Sequence, residues 1–138
     1  MASILKVDDL RGNTAAGNIT ITSEGGSATM QLQQGVAKAW FHFDQTGTPA
    51  IDDSLNASSL DDDGTGQATI NYTNNMSGSH YAVGGDTTSG NAGVTMYTMN
   101  FHTSTTSNVE MDSWYISTGN ATQQDTTDNR GIVMGDLA

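Results

Sequence analysis

The run Asp61, Asp62, Asp63, Gly64, Thr65, Gly66 gathers three carboxylates and two glycines into six residues, the composition of a segment that wraps a hard cation. Aligning Gly64 with the glycine of an EF-hand loop puts Ser59, Asp61 and Asp63 at the first three ligand positions. Ile70 then falls where the closing bidentate glutamate belongs, so the loop does not match. Asp and Gly are also the residues hairpin turns prefer, and a solvated turn is the expectation. Asp61 and Asp63 serve as metal ligands only if another loop adds to them. His42, His80 and His102 are the three histidines, and no two stand at a tight metal-binding spacing. No cofactor is expected.

Signals for catalysis are sparse. The chain has no cysteine nucleophile, no Gly-x-Ser-x-Gly elbow, no His-Glu-x-x-His and no lysine-bearing phosphate loop. Asp44, Asp52, Asp53, Glu110 and Asp112 supply enough carboxylates for a glycosidase-type pair, and on a strand Glu110 and Asp112 face the same way. Exposed acids on a solvated face explain them more simply, and the chain is expected not to be an enzyme. Trp40, Trp114, Tyr97 and Tyr115 offer flat faces on which sugars stack. Trp40, with Phe41 and Phe43, is expected at a contact between subunits. Trp114 and Tyr115 precede a long polar stretch and are the candidate glycan contacts.

These residues must be placed by short strands. Val36 to Phe43 puts Ala37, Ala39, Phe41 and Phe43 on one face and Lys38, Trp40 and His42 on the other, as the two-residue strand period requires. Aromatic area on both faces predicts that both are covered. Ala68, Ile70 and Tyr72 alternate in the same way, as do Tyr81 and Val83. Val94 to Phe101 and Val109 to Ile116 are the longest later strands, separated by the polar run His102 to Asn108. Further strands are expected at Ser3 to Val7 and Asn18 to Thr22, and a short edge strand at Ile132 to Met134. Residues 118 to 131 read as an outward-facing loop, and Ala28 to Gln34 tolerates one or two helical turns. Strands separated by turn chemistry predict an all-β fold, an antiparallel β-sandwich or jelly-roll-like domain over 35–138, preceded by a short extended segment over 1–34.

At 138 residues the chain has the size of a single domain with a modest core. Charged residues make up 14%, well under the usual share, and acids outnumber bases 15 to 4. The surface must therefore be uncharged and polar, built from Thr, Ser, Asn, Gln and Gly. A net charge of −11 repels nucleic acid and anionic membrane surfaces, and a neutral glycan or a basic protein patch suits it better. The absence of cysteine removes disulfide and thiol chemistry. The opening MASILKVDD lacks the long apolar core and basic flank of a secretory signal, and no apolar run is long enough for membrane insertion.

One further pattern involves the order of particular residues. Ala37, Lys38, Ala39, Trp40, Phe41, Phe43 and Gly47 form an opening strand and turn, followed by Ile51, Asp53, Ser54, Leu55, Asn56, Ser58, Ser59 and Leu60. Asp63, Gly64, Thr65 and Gly66 make the next turn, and Ala68 to Thr73, Met76, Tyr81, Ala82 and Val83 complete the series. With Met1 to Asp9, this series resembles tail-fibre and other virion structural proteins of tailed bacteriophages, marine ones especially, over the first two thirds of the chain. Pro49 and the pair Asp52 and Asp53 depart from that pattern. The resemblance implies a small trimeric fibre or appendage protein, made in the host cytoplasm and built into the virion. Its partners would be sister subunits, other virion proteins and a host-surface glycan or protein. Ile4, Leu5 and Val7 are expected to anchor it to the particle. A capsid decoration (cement) protein and a depolymerase of host polysaccharide are the competing readings.

Overall fold

Within Ala39 to Asp44, apolar and polar side chains alternate, and an extended backbone sends them to opposite faces. The computed structural model, which describes residues 4–15, 19–22, 25–89 and 96–138, shows this pattern repeated around an antiparallel β-sandwich. The chain divides into two compact units, Met1–Val36 and Ala37–Ala138.

The first unit pairs β1 (Thr20–Thr22) with β2 (Thr29–Gln31), setting Ile21 opposite Met30, and ends in a 3₁₀ turn at Leu32–Gly35. The helix-tolerant stretch thus divides into strand and 3₁₀ turn, because Gly35 stops it before an α-helical turn can propagate. Ile4 to Val7 carries no strand, and Ser3 lies outside the described residues. No described residue of this unit is buried.

The second unit contains β3 (Ala39–Asp44), β4 (Ala50–Leu55), β5 (Ala57–Gly64), β6 (Gln67–Tyr72), β7 (Ala82–Thr88), β8 (Met96–Ser104), β9 (Asn108–Ser117), β10 (Asn120–Gln123) and β11 (Asp128–Met134). One sheet runs β4-β3-β11-β7. In the other, β9 pairs with β8 on one side and with β6 and then β10 on the other, and β5 follows β6. Ala39, Phe41, Phe43 and Val133 from the first sheet meet Ala68, Ile70, Tyr72, Val109 and Met111 from the second, with Met76 beside them. The chain crosses between sheets at Asn56, a non-glycine residue at φ 59°. Its side chain binds Asn74 at both the backbone N–H (2.7 Å) and the carbonyl (3.1 Å), which holds a conformation that Asn tolerates better than most residues.

Several sequence expectations change here. The acidic run is strand up to Gly64, and the turn is confined to Thr65 and Gly66, where Gly66 has φ +70°. A Cβ at Gly66 would lie 2.6 Å from the Gln124 nitrogen and 2.7 Å from the Ser113 carbonyl oxygen, so only glycine lets this turn reach β9. The stretch 118–131 is not one outward loop, since β10 and the first half of β11 lie within it. Nor is Ile132 to Met134 an edge. It ends β11, which lies between β3 and β7. Polar composition hid this strand because its inward positions are Asn129 and Gly131 as well as Val133.

Asn129 belongs to a buried polar cluster with Gln45, Thr87, Ser113 and Thr126. Its Oδ1 is 2.7 Å from both threonine hydroxyls, and its Nδ2 donates to the carbonyls of Thr126 (2.9 Å) and Phe43 (3.3 Å). Ser113 Oγ reaches Gln45 Oε1 at 2.9 Å and the Gln124 carbonyl at 2.6 Å. The cluster ties both sheets to the segment between β10 and β11.

Tyr72 is the core's one strongly perturbed acid. Burial, reinforced by the Tyr81 hydroxyl 3.2 Å away, holds its phenol well above the usual tyrosine range. The folded chain therefore keeps this proton while the unfolded chain loses it above about pH 10, so stability is complete below that pH and declines above it. Denaturant titrations at pH 8 and pH 10.5 should show this loss, reduced in Tyr72→Phe. An equal alkaline loss in both proteins would assign it to other groups.

Candidate functional site

Two solvent-facing sheet faces carry the polar and aromatic residues singled out by type. On the outer face of the second sheet, alternation along β9 aligns Glu110, Asp112 and Trp114. A bulge between Phe101 and Thr103 brings His102 between the two acids, with Nδ1 3.7 Å from Glu110 Oε2 and Nε2 3.5 Å from Asp112 Oδ1. Gln67 Nε2 donates to Asp112 at 3.2 Å, and Thr69 Oγ1 to Asp63 Oδ2 at 2.6 Å. Asn71 Nδ2 donates to Asp61 at 2.8 Å. A groove of about 250 Å³ runs over Asp63, Gln67, Thr69, His102 and Glu110.

The groove is rich in hydrogen-bond acceptors. Its one hydroxyl, on Thr69, donates to Asp63 Oδ2, and Gln67, His102 and Glu110 supply the other polar groups of the lining. Asp61 and Asp63, the weak metal candidates, are held by separate neutral donors. Among the described residues no group of three or more His, Asp and Glu side chains is arranged to hold a metal ion.

Trp114 lies on this face, half-buried between Thr98 of β8 and Gln123 of β10. Tyr115, the next residue, turns the other way, and its ring packs against Tyr97 at 5.6 Å between centroids. The two candidate glycan contacts therefore do not form one platform.

On the outer face of the first sheet, register places Leu55, Trp40 and Ile132 side by side on β4, β3 and β11, with Gly84 of β7 next in the row. Trp40 is 37% exposed, Leu55 48% and Ile132 47%. This face is open in the single chain, and the expected cover on the Trp40 side of β3 would have to come from another molecule. The neighbouring row is ionic. Asp128 pairs with both His42 and Arg130, Asp52 lies 3.3 Å from His42, and Asp86 lies 3.3 Å from Arg130.

Phe41 and Phe43, expected with Trp40 at a subunit contact, are fully buried in the chain's own core. Of those three, Trp40 alone has surface to offer a neighbour. Ile4, Leu5 and Val7 are 80%, 75% and 54% exposed. Sequence reasoning missed the Leu55–Trp40–Ile132 row, whose residues stand 15 and 92 positions apart from Trp40. No family model, curated protein or solved structure matches this chain.

Proposed function

We propose that this chain is a non-enzymatic structural protein of a tailed-phage particle, a small homotrimeric fibre or appendage protein anchored through its first unit. The observation that carries this reading is the state of that unit. It holds Ile4, Leu5, Val7, Leu10, Ile21, Met30 and Val36 between 43% and 80% exposed and buries none of its described residues. A unit that leaves all its large described apolar side chains but Ile19 and Leu32 exposed gains by covering them in an assembly. The resemblance of Met1 to Asp9 and of residues 37 to 83 to virion proteins supplies the kind of assembly, and the sandwich supplies a body able to present its faces to a host-surface glycan or protein.

The test is deletion of Met1 to Asp9 in the phage that encodes the chain. The shortened protein should keep a folded sandwich by circular dichroism yet be absent from purified particles by mass spectrometry. Labelling the intact protein on particles should place it on the tail; label on the shell would favour the decoration reading. Incorporation of the truncated chain at normal copy number would overturn the anchoring role.

A further inference from the structure

We infer that the Leu55–Trp40–Ile132 row is the docking surface for a second copy of this chain, and that the occupant is the other copy's segment Ile4 to Val7. The inference deepens the appendage reading and rests on it for the number three, but not for the contact itself.

The two surfaces match in three respects. Each is apolar and uncovered: the row contains three of the four most exposed large apolar side chains described in the sandwich unit, and Ile4 and Leu5 are the most exposed large apolar side chains among the described residues. Burying such side chains is favourable in proportion to the apolar area taken out of water, so both surfaces have the same drive to be covered.

They also match in length. Neighbouring strands stand about 4.8 Å apart, so a row across β4, β3 and β11 is about 10 Å long. Three or four extended residues at about 3.3 Å each span it. Gly84 keeps the β7 end of the row clear, because a Cβ there would meet nothing within 4 Å. A trough of about 210 Å³ opens at that end over Gly84, Asp86, Arg130 and Ile132.

Finally, they match in charge. Lys6 is the single charged residue of Ile4 to Val7, and the flank of the row holds Asp52, Asp53, Asp86 and Asp128 against His42 and Arg130. Asp8 and Asp9 follow outside the docking residues, and Asp9 is paired with Arg11 at 2.6 Å. Stacking the row on the same row of another copy would instead bring together two acidic flanks on chains of charge −11. Segment-to-face contact is heterologous and closes into a ring when the rotation between copies allows it.

Sedimentation of the purified full chain tests this without any phage. The wild type should sediment at three times the mass of one chain. Leu5→Asp with Val7→Asp changes only the first unit, and Trp40→Ser with Leu55→Ser changes only the face; each pair should give monomers with the wild-type circular dichroism spectrum. If the face pair fails to fold, Lys6→Glu supplies the second measurement, with at least a tenfold rise in the dissociation constant expected. A monomeric wild type at 50 µM overturns the inference. So does an assembly that survives either pair, including one lost on changing the segment but kept on changing the face. Loss of virion incorporation in a variant that still forms trimers would leave the particle reading standing and remove this one.

Discussion

Asn129→Leu should destabilise the sandwich unit by at least about 3 kcal/mol, although leucine keeps the branching pattern of asparagine and is far more apolar. Asn129 is fully buried and has a polar partner on every side: the Thr87 and Thr126 hydroxyls at its oxygen, and the Phe43 and Thr126 carbonyls at its nitrogen. Leucine leaves the two hydroxyls and the Phe43 carbonyl in the core with fewer partners. A buried group left unsatisfied costs about 1–3 kcal/mol, and several such groups outweigh the apolar gain of one side chain. Thr127→Ala, two residues away on an exposed side chain, should stay within about 0.5 kcal/mol. Urea titration of both variants makes the comparison, and equal midpoints would show that the cluster contributes no stability.

Gly131→Ala adds one methyl group and should cost about 3 kcal/mol. Gly131 lies opposite Phe41 in register, and the Phe41 ring rests on it so closely that a Cβ would sit 2.2 and 2.3 Å from two ring carbons. The ring has little room to retreat, since Phe43 lies 6.0 Å and Phe101 6.4 Å from its centroid. Overpacking a core that cannot give typically costs about 1–3 kcal/mol, and this site stands at the upper end. Gly84 provides the contrast one strand away. Its φ is not in the left-handed region and its Cβ position is open, so Gly84→Ala should be neutral or stabilising by up to about 1 kcal/mol. Equal effects at the two glycines would mean that backbone freedom, not the Phe41 contact, decides the outcome.

The contrast between these glycines also marks how far the sequence could be read. Each has a β-branched apolar residue on one side, Val83 for Gly84 and Ile132 for Gly131, and this local context says nothing of which lies under an aromatic ring. Asn129 is similar. In TGNATQQDTTDNRG it is one polar residue among many, and a loop was the natural reading. Folding puts it in the core because Thr87, Thr126 and Phe43 converge on it from three parts of the chain. The candidate faces divide in the same way. That Glu110 and Asp112 share a face was legible, but the placement of His102 between them depends on a bulge in the neighbouring strand.

What the residues determined alone was what a two-residue period and turn chemistry can carry. The all-β class, the antiparallel sandwich and the sharing of one strand face by Ala39, Phe41 and Phe43, and of another by Ala68, Ile70 and Tyr72, follow from alternation, a property of adjacent residues. That these two faces meet in the chain's own core, with Phe41 and Phe43 inside it and not at the expected subunit contact, came from the fold. Tertiary structure alone decided the strand order, the central position of β11, the buried polar cluster and the row Leu55–Trp40–Ile132. Each of these joins residues far apart in the chain. Their meeting depends on register and on the packing of one sheet against the other, which the local alternation of side chains does not encode.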